Sequence, residues 1–118
     1  MKGTLPLIKN YAPYIGDTFN FDPFSIKVNG SLLDLSGDTF KLRIQEKASG
    51  VVFVTLTLGS GITNPSTGRL QRKLTAAQTL TLVQGRVYVY DFQWTTSAGD
   101  VLTLERGELH PVKDITPA

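Results

Sequence analysis

The stretch Arg86 to Thr96 reads R-V-Y-V-Y-D-F-Q-W-T-T, with Tyr88, Tyr90, Phe92 and Trp94 on even positions and Val87 and Val89 on odd ones. Successive side chains of a strand point to opposite faces, so this run buries one complete face only when it is extended. The same period returns elsewhere. Phe40, Leu42 and Ile44 alternate with Lys41, Arg43 and Gln45. Val52, Val54, Leu56 and Leu58 share one face of the run 51–58, with Thr55 and Thr57 on the other. Leu70 and Leu74 point inward in 69–74, and Leu102 and Leu104 share a parity in 101–109.

Turn signals separate these runs: Gly16-Asp17, Asn29-Gly30, Ser36-Gly37-Asp38, Ala48-Ser49-Gly50 and Ser97-Ala98-Gly99-Asp100. Short alternating strands at regular spacing predict an all-β, immunoglobulin-like antiparallel sandwich of about seven or eight strands. Phe19 and Phe21 are odd while Phe24, Ile26 and Val28 are even, so the parity flips across Asp22-Pro23. One extra residue there, as a bulge or kink, keeps both sets in the core. Gly59 to Gly68, rich in Gly, Ser, Thr and Asn, reads as a loop and as a second interaction surface. Arg72 falls on the inward parity of its strand, which places it near an edge or a partner.

Thr75-Ala76-Ala77-Gln78 fits a capping box, with the Thr hydroxyl taking the Gln78 N–H and the Gln amide returning to Thr75. One short helix is therefore expected near residues 75–82, closed by Gln84-Gly85 with Gly as the left-handed residue. The chain of 118 residues is long enough for one domain. It has no cysteine, which excludes a disulfide scaffold, a thiolate metal site and a Cys nucleophile. The net charge of +2 is scattered, so no stripe for nucleic acid is expected. Neither a signal peptide nor an apolar stretch of membrane-spanning length is seen, so synthesis in a cytoplasm and no membrane are expected.

His110 is the sole histidine, so a two-His metal site is excluded. No G-x-S-x-G elbow accompanies it, and His110 reads as a strand-end surface residue. Asp91 and Glu105 lie mid-strand on neighbouring runs. A glycosidase pair is one reading; cross-strand ion pairs with Arg86 or Arg106 are the plainer one. Gly59-Ser60-Gly61 lacks the lysine and the strand-to-helix setting of a phosphate loop. Asn29-Gly30-Ser31 is a turn before it is a sequon. No catalytic residue, metal or cofactor is expected, and the protein is expected not to be an enzyme. The row Tyr88 to Trp94 either fills the core or offers Trp94 to a partner or a sugar ring.

Residues 1–15 form an extended arm ahead of a single domain, residues 16–118. Pro6 and Pro13 break the arm, and a proline cannot donate to a ladder. It is either an edge strand of its own sandwich or a strap on a neighbouring subunit. Leu5, Leu7, Ile8, Tyr11 and Tyr14 on the arm, together with Trp94, are the candidate partner contacts.

The ordered set GDTFNFDPFSI, LDLSGDTFKLRIQEKASG, VTLTL, RKLTAAQTLTLVQGRVYVYDFQW and AGDVLTLERGEL resembles the small β-sandwich proteins of tailed bacteriophages and prophages. It is similar to the N-terminal domain of phage baseplate upper proteins, over about residues 16–116. The resemblance implies that the LTAAQT helix is a connector between two sheets. It also implies a structural virion component of the tail or baseplate, made in the host bacterial cytoplasm. Such a component works by contacts with other virion proteins and with itself. The chain stops at Ala118, where longer relatives continue, so a separate subunit or adaptor is expected. A head decoration or fibre-anchoring protein, or a carbohydrate-binding module for host glycans, are the alternatives.

Overall fold

The computed structural model describes residues 6–28, 31–32, 37–66 and 68–113. Leu5 and the Asn29-Gly30 turn lie outside the described residues. The elements in chain order are β1 (Leu7–Ile8), β2 (Phe19–Asn20), β3 (Phe24–Ser25), β4 (Lys27–Val28), β5 (Ser31–Leu32), β6 (Thr39–Glu46), β7 (Val52–Leu58), β8 (Gly61–Ser66), β9 (Arg69–Leu74), α1 (Ala76–Thr79), β10 (Tyr88–Thr95) and β11 (Val101–Leu109). The all-β sandwich with one short connecting helix is the fold the chain adopts.

The main ladder runs β1-β11-β10-β6-β7-β8-β9-β2, with β3 also on β9 and a separate β4–β5 hairpin. β1 runs parallel to β11 because the arm travels in the same direction as the last strand. Strands β9 and β11 are five ladder steps apart, about 24 Å in a flat sheet at roughly 4.8 Å per step. Yet Arg72 on β9 and Glu105 on β11 form an ion pair at 2.9 Å. The sheet must therefore curl back until its two ends face each other, and the core fills the space between them.

The corner is made at Gly59-Ser60-Gly61, where Gly59 and Gly61 take φ of +88° and +96°. A side chain at Gly61 would press against Leu56 Cδ2 at 2.5 Å. The expected loop over 59–68 is corrected here: between the corner and a turn at Gly68, β8 runs as a strand against β9. Ile62, wholly buried, anchors β8, and the ladder register slips between Thr63 and Ser66, around Pro65. The Gly and Pro signals thus marked a bend and a bulge, both of which strands tolerate.

Between β2 and β3 the pairing moves from Asn20↔Lys73 to Phe24↔Leu70. That shift holds one extra residue on the β2–β3 side, at the place where the Phe parity flips. A second bulge, between Phe92 and Gln93, lies opposite Leu104 and leaves Leu104 and Glu105 both buried. It also breaks the expected pairing of Leu102 with Leu104, since Leu102 is exposed. A third shift, between Ile44 and Gln45, turns Val52 outward and brings Phe53 onto Tyr88.

The core joins Leu42, Ile44, Leu56, Phe92, Leu104 and Leu109 of one layer to Ile62, Leu70 and Leu74 of the other. Full burial of each such side chain contributes about 1.5–3 kcal/mol. Helix α1 carries the chain from β9 to β10, across the fold. Both capping-box bonds form: Gln78 N–H to Thr75 Oγ1 at 3.1 Å and Thr75 N–H to Gln78 Oε1 at 2.8 Å. The helix ends at Thr79, short of Leu82 as expected from sequence. Thr81 and Leu82 instead donate to carbonyls three residues back, which closes the turn early.

Candidate functional site

Arg72 is 1 % exposed and Glu105 3 %. Both lie where their strands face the opposite layer, Arg72 by its inward parity and Glu105 by the bulge beside it. The edge or partner position expected for Arg72 is corrected, and so is the pairing of Glu105 with Arg86 or Arg106. Arg86 Nη1 binds Glu46 Oε2 at 3.0 Å instead. Asp91 does lie opposite Arg106, and opposite Arg43 on its other side, in ladder register.

The buried cation has three kinds of neighbour: a carboxylate, a backbone carbonyl and aromatic rings. Its Nη1 stands 2.9 Å from Glu105 Oε1, and its Nη2 donates to the Asp22 carbonyl. The guanidinium carbon lies 4.7 Å from the ring centre of Phe92, 5.3 Å from that of Phe21 and 5.8 Å from that of Phe24. Nε and Nη1 find no hydrogen-bond acceptor among the described residues, so the ion pair and the ring faces carry most of the compensation. A buried charge survives only when paired, and here the pair spans the two layers.

Glu105 Oε2 accepts two more bonds, from Tyr90 Oη at 2.7 Å and from Tyr11 Oη at 3.0 Å. Burial, and then the Glu105 charge, push the Tyr11 hydroxyl up to about 12. Burial and the Glu105 hydrogen bond raise that of Tyr90 further. Both phenols therefore stay protonated as donors to the carboxylate. Tyr11 also packs edge-on against Phe21 and Phe19, with ring centres 5.0 and 5.5 Å away.

Tyr11 belongs to the arm, so the buried cluster is also the arm's anchor. Lys9 N–H donates to Arg106 O, Tyr11 N–H to Glu108 O and Ile15 N–H to Val112 O, each at 2.9 Å. His110 N–H and Val112 N–H return to Tyr11 O and Pro13 O at the same distance. One position breaks this ladder. The Lys9 carbonyl turns toward the interior and lies 2.8 Å from Tyr90 Oη, whose single proton it shares with Glu105. The Asn10 side chain replaces it by accepting the Glu108 N–H at 3.0 Å. This is possible because residue 107 is glycine: a Cβ there would lie 1.8 Å from Lys9 O. Lys9 Nζ pairs with Asp22 on the far side.

The arm thus lies on its own chain as an edge strand. Leu7, Ile8, Tyr11 and Tyr14 are brought together along β11, while Leu5 lies outside the described residues. Tyr11 is turned in; Leu7, Ile8 and Tyr14 are 48 %, 66 % and 53 % exposed. Trp94 stands apart, opposite Leu102, beyond the part of β11 that the arm lines. Its indole stacks on Phe40 at 6.4 Å, and its Nε1 donates to Asp38 Oδ2 at 2.8 Å. Tyr88, Tyr90 and Phe92 are core residues.

Sequence reasoning missed Gly107, the Tyr90 hydroxyl and the Arg72–Glu105 pair. The inward parity of Arg72 was the available signal for that pair, and the glycine inside an otherwise regular strand was the signal for a close backbone approach. A groove of about 610 Å³ lies on the outer sheet face, lined among others by Ile8, Asn10, Arg43, Asp91 and Arg106. Among the described residues no cluster of three or more His, Asp or Glu gathers as for a metal ion, and no helix is long and apolar enough to cross a membrane.

No family model matches the chain, and no curated protein matches it. Among solved structures, the structure of murine CRIg superposes with a TM-score of 0.47 at 11 % sequence identity, covering 92 % of this chain and 94 % of that one.

Proposed function

We propose that this protein is a structural virion component of a tailed phage or prophage, a tail or baseplate adaptor that acts by protein–protein contacts without turnover chemistry. The observation that carries the reading is the arm. Its backbone is held along one border of the sheet, while Leu7, Ile8 and Tyr14 remain in solvent. Spare apolar side chains on an anchored border strand suit a surface that a neighbouring subunit covers. The helix of the LTAAQT segment runs between the layers, which fits the connector role that the resemblance implies. The glycan reading draws no support from the aromatic row, since three of its members are interior and Trp94 is stacked and hydrogen-bonded within the chain. The test is the protein content of purified tailed particles from a host carrying this gene. Peptides of this chain in fixed ratio to tail proteins are expected. Their absence from particles, with the chain abundant in the host extract, would overturn the proposal.

A further inference from the structure

The contacts of the arm divide at Gly16. Up to Ile15 most contacts are keys that fit β11 and its continuation to Val112: the Lys9 carbonyl over Gly107, the Asn10 amide on Glu108, the Tyr11 hydroxyl on Glu105 and the backbone ladder; the rest reach Tyr90, Asp22, Phe19 and Phe21 of the body. From Gly16 onward the chain is fastened to the body. Thr79 Oγ1 accepts the Gly16 N–H at 3.1 Å and donates to the Asp17 carbonyl at 2.7 Å. Between the two lies a single turn, closed by Asp17 N–H to Tyr14 O at 3.2 Å and by Gly16 at φ +91°. That bond is the longest backbone bond of the arm region. Glycine is free to leave the left-handed region for an extended one, so this turn can open while its anchor at Thr79 holds.

The seat on β11 does not distinguish its own arm from that of another copy. Opening the turn breaks the long Asp17–Tyr14 bond, and seating the arm on a second copy restores the arm's bonds to β11. Exchange also brings two bodies together at the β1–β11 border, where Leu7, Ile8 and Tyr14 are otherwise exposed. We infer that residues 6–15 exchange between copies, each arm lying on β11 of a second copy of this chain. This rests on the assembly reading above and names the partner and the seat.

The chain has no cysteine, so a cross-link reports one contact alone. Ile8 and Arg106 are ladder partners and both are exposed. The variant carrying Ile8→Cys and Arg106→Cys is oxidised over a concentration series, while light scattering follows the unmodified protein. Exchange predicts that most of the bridged chain runs at twice the monomer mass on a non-reducing gel. Single bridged chains at every concentration, or no bridge at all, would overturn it. If the unmodified protein still forms multimers, arm exchange alone has failed and assembly through another surface stands. If the unmodified protein also stays at the mass of one chain, 12.9 kDa, self-assembly fails as well, and only contacts with other virion proteins remain.

Discussion

Neutralising Glu105 while keeping its shape isolates the charge in the buried cluster. In Glu105→Gln the amide oxygen can still accept from Tyr11 and Tyr90, but Arg72 is left as a buried, unbalanced cation. Removing one partner of a buried ion pair costs about 3–5 kcal/mol. The three ring faces around Arg72 give back a fraction of that, at about 0.5–2 kcal/mol for a desolvated cation–π contact. A loss of about 2–4 kcal/mol is expected, within the roughly 5–15 kcal/mol of a typical domain, so the variant still folds. At a slope of about 1.5 kcal/mol per molar urea, the unfolding midpoint falls by about 2 M. Arg72→Met should cost a similar amount, because a carboxylate is then stranded with only two hydroxyl donors. The double variant carries no buried charge, so its loss should be smaller than the sum of the singles by at least about 2 kcal/mol. Urea melts of the four proteins measure this coupling. Single variants that each lose under about 1 kcal/mol, or losses that simply add, would refute the claim that the pair is desolvated and mutually dependent.

Gly107→Ala places a Cβ against the Lys9 carbonyl, so the arm must leave its seat; hydrogen exchange should show Lys9, Tyr11 and Ile15 amides losing protection while β6 and β10 keep theirs. Thr75→Ala removes one of the two capping-box bonds and should lower stability by about 1 kcal/mol in a urea melt. Glu108 titrates below its ordinary value of 4.5 because Lys47 hydrogen-bonds it, with His110 adding a smaller pull. Its folded value is depressed, so its contribution is present above the ordinary carboxylate value and is lost as pH falls through the lowered one. Lys47→Ala should return the Glu108 carboxyl resonance toward the ordinary midpoint in an NMR titration.

The alternation of Phe40, Leu42 and Ile44, and of Tyr88, Tyr90 and Phe92, was enough to assign strands and their buried faces. The Phe19-to-Phe24 parity flip located a bulge to within a residue or two, and Thr75 with Gln78 located the helix start. What local pattern did not hold was the curl. Nothing in 59–68 says that its glycines make a corner and not a loop, because both need the same positive φ. Arg72 looked misplaced only because its partner sits 33 positions further on, on a strand whose own register is broken by a bulge at Leu104. Gly107 looked like a weak point in a strand because the carbonyl that fills its space comes from Lys9, at the other end of the chain. Apolar character among prolines marks the arm residues as a group, but which of them turns inward depends on the Glu105 cluster, which local pattern does not show.

The curled sheet closing Arg72 onto Glu105 and three aromatic rings, with the arm anchored over them, is tested most directly by NMR of the Arg72 side chain. Held 4.7 Å from the centre of Phe92 and shielded from water, its Nε proton should be displaced upfield by the rings and should exchange slowly with solvent. A resonance at the ordinary arginine position that exchanges as fast as those of exposed Arg43 and Arg106 would contradict the account.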